Sequence, residues 1–175
     1  EEWENLIPVE IYDTERYVLC FFLGNSIPQQ LCARAFADSH NLKLVSILSN
    51  ESVSDVDISY ADRIITGASP EEFINWIRGA EFIFTDSFHG TAFSIINQKQ
   101  FFVFYRKRDG ASGSNSRNSR IDNILNKWDI KDRLIIDPNI NWDKVGLTNI
   151  NYTNVGNLVM EARQHSKEFL TNSLL

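Results

Sequence analysis

Five residues, Asp86-Ser87-Phe88-His89-Gly90, stand where the apolar run Glu81-Phe82-Ile83-Phe84-Thr85 gives way to a helical pattern through Ala92, Phe93, Ile95 and Ile96. A strand that passes directly into a helix leaves the first backbone N–H groups of that helix without partners. Those groups and the helix dipole attract anions. Ser87 can cap the helix or donate its hydroxyl to a ligand oxygen. Gly90 can let a ligand approach the backbone. His89 can hold an anion or pass a proton near neutral pH. One alternative stays open on these residues alone: Asp86-Ser87 only caps the helix, and His89 is an ordinary helical side chain.

A second concentration of chemistry lies downstream. Between Arg106 and Arg120 there are five basic residues (Arg106, Lys107, Arg108, Arg117, Arg120) and one acid, Asp109, in a chain whose net charge is −6. A cationic stretch on an acidic domain suits an anionic small ligand, while the overall charge argues against non-specific nucleic-acid binding. A solvated loop is the plainer alternative. On the residues alone the site candidates are Asp86, Ser87, His89 and Gly90, the Gly24-Asn25 turn after the first strand, and the basic residues Arg106 and Arg120; His89 is the one that can pass a proton, and no metal is called for. Serine–histidine–acid sets, zinc spacings and Walker loops are missing, and the Gly24 turn lacks the other glycines of a dinucleotide fingerprint. His40 and His165 are expected at the surface. Cys20 and Cys32 have no metal-ligand spacing and read as buried thiols in a reducing, cytoplasmic setting.

These groups need a scaffold, and the periodicity supplies one. Tyr17–Leu23 is a continuous apolar run, the mark of a strand buried on both faces. A helix is expected over 28–39 through Leu31, Ala35 and Phe36, then strands over 42–48 and 63–66. Ser69-Pro70-Glu71-Glu72 is a helix start, with an N-cap, Pro at the first position and acids in the first turn; that helix stops at Gly79. Further strands are expected over 101–105 and 134–136, a Gly/Ser/Asn-rich loop over 109–118, and a helix over 119–128. A closing helix over 154–174 runs through Leu158, Val159, Ala162 and Phe169. Strands alternating with helices imply βαβ units, an α/β Rossmann-like doubly wound parallel sheet. Ligands in such sheets bind at the carboxyl ends of the strands. Residues 1–16 read as a lead-in and 17–175 as one domain. The 43% hydrophobic content is that of a packed globule, and no apolar run reaches the length of a membrane span. The chain opens on Glu1 without Met or signal peptide, and reads as a piece of a longer one.

The stretch Ser69–Ile77, Ala80, and Thr85-Asp86-Ser87-Phe88-His89-Gly90-Thr91-Ala92-Phe93-Ser94 resembles the polysaccharide pyruvyl transferase family. Ser119-Arg120-Ile121 with Ile124-Leu125, and the last helix with Arg163, Ser166 and Phe169-Leu170, look similar too. The resemblance runs from about Tyr17 to the end and corresponds to the C-terminal half of a longer member. It implies the donor-binding lobe of a bacterial, glycosyltransferase-B-like enzyme that moves a pyruvyl group from phosphoenolpyruvate to a polysaccharide or lipid-linked sugar held by an N-terminal lobe. The setting would be cytoplasmic or peripheral at the inner membrane face. Phosphoenolpyruvate would be a substrate, with no cofactor. His89 would bind donor and act as acid; Arg120 is the candidate for the donor's carboxylate or phosphate. Two other readings remain: a nucleotide-sugar glycosyltransferase or sialyltransferase-like lobe, and a non-catalytic α/β binding module.

Overall fold

The computed structural model describes residues 7–48, 59–106, 115–145 and 147–173. Among these residues six strands form one parallel sheet: β1 (Tyr17–Phe21), β2 (Lys43–Ile47), β3 (Arg63–Ile65), β4 (Phe82–Thr85), β5 (Gln100–Phe104) and β6 (Leu134–Ile135). Their spatial order is β3-β2-β1-β4-β5-β6. Chain order therefore reverses between β1 and β4, which pair with Val18 opposite Phe82 and Phe21 opposite Thr85. That reversal opens a crevice beyond the carboxyl ends of the two strands.

Among the described residues five α-helices cover the sheet: α1 (Ile27–Ser39), α2 (Pro70–Gly79), α3 (Phe88–Ile96), α4 (Asn115–Lys127) and α5 (Tyr152–Ser173). The strands alternate their side chains between two cores, as period-2 geometry requires. Leu19, Val45, Ile83, Phe101 and Val103 pack under α2, α3, α4 and the first turns of α5. Val18, Cys20, Leu44, Phe84, Phe102 and Phe104 pack under α1 and Trp142. Cys20 and Cys32 lie in this second core as free, buried thiols. Burial pushes both thiols up, Cys32 to about 11, so they act as small apolar groups.

The start of α2 forms as its sequence dictates. Ser69 Oγ accepts from Glu72 N at 3.2 Å, and Glu72 Oε2 accepts from Ser69 N at 2.8 Å, a reciprocal capping box. Residues 7–16, part of the expected lead-in, lie against this helix: Asn75 Nδ2 donates to Pro8 O and Arg78 to Ile7 O.

Several expectations need correction. The buried face of α1 is Cys32, Ala33, Phe36 and Ala37, whereas Leu31 is 57% exposed and Ala35 lies outside. Small residues at 32, 33 and 37 let the helix lie close to the sheet, and that outweighs the bulk of Leu31. His40 is not a simple surface residue, since its ring stacks on Phe36 at 4.2 Å. Residues 115–118, assigned to the loop, are the first turn of α4; the remaining loop residues, with Lys107 and Arg108, lie outside the described residues. Helix α5 buries Val155 but leaves Phe169 65% exposed. At ~1.5 Å per residue its 22 residues run past the sheet they start on.

Candidate functional site

The crevice between β1 and β4 is where the expected residues meet. Asp86 follows β4 directly and is 1% exposed. Its Oδ1 accepts from Leu23 N at 2.7 Å and its Oδ2 from Gly24 N at 2.9 Å. Arg106, two residues past β5, brings Nε to 3.8 Å from the same Oδ2. Burial pushes the Asp86 carboxyl up from its ordinary value; the two N–H groups and Arg106 oppose that rise. The carboxylate thus joins the ends of β1, β4 and β5.

Ser87 is the N-cap of α3, with its Oγ accepting from Gly90 N at 3.4 Å. Thr85 sets the geometry beneath it: Thr85 Oγ1 donates to Phe21 O at 2.6 Å and accepts from Ser87 N at 3.0 Å. Gly90 has a different purpose from the one its sequence context suggests. A Cβ there would overlap Thr85 Oγ1 and lie 3.1 Å from Thr85 Cβ. The glycine admits the strand, and no ligand is needed to explain it. Because Thr85 is held by two hydrogen bonds, it has little room to yield. Gly90→Ala is therefore expected to cost about 1–3 kcal/mol, the usual range for overpacking. Chemical denaturation checks this, and an unchanged midpoint would contradict it.

His89 is exposed on the first turn of α3. With Ser87 it borders a cleft of about 390 Å³ otherwise walled by Phe21, Leu23, Ile47, Leu48, Ala68, Ser69, Pro70 and Phe73. Apart from Ser69, Ser87 and His89 its lining is apolar. The His89 ring also neighbours Phe88, at 5.8 Å between centroids. The exposed Arg120 guanidinium lies over that Phe88 ring at 5.3 Å, a cation–π distance. Arg120 and His89 therefore neighbour one phenyl ring, and Arg106 reaches the same turn through Asp86. Asn25 is exposed, and its Oδ1 accepts from Gln30 Nε2 at 3.5 Å. Arg106 is fixed further by its backbone N–H, which donates to Asn118 Oδ1 at 3.2 Å.

The arrangement can receive an anion at the α3 N-terminus beside two guanidinium groups, with an imidazole facing an apolar cleft. Sequence reasoning missed the cleft itself. Its walls come from four separate segments, and no local pattern tells that they meet. It also missed that both Asp86 oxygens are taken by backbone groups.

The model for the family described as polysaccharide pyruvyl transferase matches residues 7–108 of this sequence. The chain belongs to that family. The matched stretch contains Gly24, Asn25, Asp86, Ser87, His89, Gly90 and Arg106. It sits toward the N-terminal side of this chain, so Ser119-Arg120-Ile121 and helix α5, also read as similar to the family, fall beyond it. No curated protein matches the sequence. Among solved structures, the glycotransferase of kitacinnamycin is similar at 12% identity and a TM-score of 0.57, over 89% of this chain and 42% of that one. The iron-containing dodecameric glycosyltransferase TibC from enterotoxigenic E. coli H10407 aligns at 13% identity and a TM-score of 0.41, over 93% of this chain and 50% of that one. The first shows the fold: a parallel α/β sheet with a glycosyltransferase, GT-B-like, as its neighbour. The chain spans less than half the length of that neighbour. No helix among the described residues is long and apolar enough to cross a membrane.

Proposed function

We propose that this family member binds phosphoenolpyruvate at the start of α3 and passes its pyruvyl group to hydroxyls of a polysaccharide or lipid-linked sugar. The observation that carries this reading is the place of His89: exposed, on the first turn of α3, between an apolar cleft and the ring that Arg120 covers. The family supplies the reaction class. The donor carries a carboxylate and a phosphate. Guanidinium groups match either in a planar fork, and Arg120 and Arg106 lie around the turn to provide them. The backbone N–H groups of the first α3 turn offer a second anchor.

In the chemistry that follows, His89 as imidazolium gives a proton to the methylene carbon of the bound enol phosphate. An acceptor hydroxyl adds to the adjacent carbon and loses its proton. A second hydroxyl of the same sugar attacks that carbon, the C–O bond to phosphate breaks, and the ketal closes. Two protons leave the sugar; one balances the new methyl group and the other leaves on hydrogen phosphate. The apolar walls of the cleft keep water from competing with the sugar hydroxyls. In this reading residues 17–175 form the donor-binding half of a longer enzyme, and the acceptor is held largely by its other half.

Substituting Arg120→Lys tests the donor site while keeping charge. The lysine loses both the planar fork and the stack on Phe88. Phosphoenolpyruvate affinity is expected to fall by about 1.5–3 kcal/mol, typical of a hydrogen bond to a charged group. Titration calorimetry at low and high salt measures it, and the binding should weaken with salt because the cations are partly exposed. Equal affinities for the two forms would remove Arg120 from the site.

A further inference from the structure

Asp86 is the residue whose surroundings fit the proposed donor site least well at first sight. A carboxylate at the mouth of an anion site repels the ligand, yet this one lies at the crevice and is 1% exposed. Its lone pairs are engaged: Leu23 N at 2.7 Å on Oδ1, Gly24 N at 2.9 Å on Oδ2. The remaining neighbour is a cation, Arg106, with Nε 3.8 Å from Oδ2. That Nε is buried and makes no hydrogen bond among the described residues. A buried guanidinium nitrogen without a hydrogen bond is costly unless a charge of opposite sign lies close. The Asp86 carboxylate is that charge.

We infer that Asp86 is a positioning residue, which fixes the Arg106 guanidinium at the β1/β4 crevice and acts on an anionic donor through Arg106 without touching it. A neutral acceptor at position 86 would still serve one backbone N–H group, but it would not hold the cation. Two elements on opposite sides of the chain reversal, the β1–α1 turn and the end of β5, are thereby registered against the start of α3. The inference rests on the donor reading above, so its test carries one readout that needs no donor.

The experiment is a double-mutant cycle on the full chain, with Asp86→Asn, Arg106→Gln and the pair, each titrated with phosphoenolpyruvate and melted. Each single substitution is expected to weaken phosphoenolpyruvate binding roughly tenfold, within the coupling range of contacting residues. The double variant should bind no more weakly than Arg106→Gln alone, because Asp86 has nothing left to act through. The melting temperature should fall with Asp86→Asn in both backgrounds, since the Leu23 and Gly24 bonds are independent of Arg106. Wild-type affinity in Asp86→Asn, or losses that add fully in the double variant, would overturn the inference. The donor-free readout is the carboxyl carbon resonance of Asp86 followed against pH in wild type and Arg106→Gln. Removing the cation should move its midpoint upward, and an unmoved midpoint overturns the pairing even if Asp86→Asn fails to fold. If wild-type protein binds no phosphoenolpyruvate while that midpoint moves, the donor reading fails and the pairing stands.

Discussion

On the proposed function, replacing His89 by alanine is expected to lower pyruvyl transfer about 10²- to 10⁴-fold, the range for loss of a positioned general acid. The fold should be nearly unaffected. His89 is exposed, and no part of either core depends on it; surface substitutions away from special features stay within about 0.5 kcal/mol. The two halves of the expectation are measured separately, turnover by phosphate release and stability by denaturant midpoint. Full turnover in the variant contradicts the assignment of His89 as the acid. A large drop in stability contradicts the structural argument that its ring faces the cleft.

The second large effect concerns the scaffold. Phe36→Ala is expected to destabilise the protein by about 3–5 kcal/mol, against a total of about 5–15 kcal/mol for an ordinary domain. Phe36 is fully buried, with ring centroids 4.8 Å from Phe82, 5.1 Å from Phe84 and 4.9 Å from Trp142. Among the described residues α1 is the only helix on that face of the sheet, so no second helix can settle into the gap. The carboxyl end of β1 and the start of α1 form one wall of the crevice, and donor binding should weaken as the helix loosens. Thermal and denaturant unfolding read the stability, and a cost below about 1 kcal/mol would show that Trp142 and the phenylalanines repack around the void.

Much of this architecture was legible because each element carries its own signal. Ser69-Pro70-Glu71-Glu72 names its own helix start, and the capping box follows from it directly. The continuous apolar runs of β1 and β4 announce strands covered on both faces, and helices alternating with them require a parallel sheet. What escaped is what depends on distant segments meeting. Trp142 sits in an irregular stretch with no periodicity, yet its Nε1 donates to Cys32 O at 3.1 Å and it closes the second core. Leu31 reads as an inward position because its bulk falls at helical spacing, yet it is exposed while the small Ala33 and Ala37 beside Cys32 and Phe36 take the buried face. Gly90 was explained by a ligand when the strand beneath it, through Thr85, explains it fully. Asp86 looked like a ligand contact, because nothing in the sequence tells that Leu23 N and Gly24 N end on it.

On the proposed function, the start of α3 serves a small anionic enol phosphate and not a nucleotide sugar. Calorimetric titration of the full-length protein with phosphoenolpyruvate, and separately with CMP- and UDP-sugars, tests it most directly. Phosphoenolpyruvate is expected to bind, more weakly with salt and with Arg120→Lys, and neither nucleotide sugar is expected to bind. Saturable binding of a CMP- or UDP-sugar, with none of phosphoenolpyruvate, would contradict it.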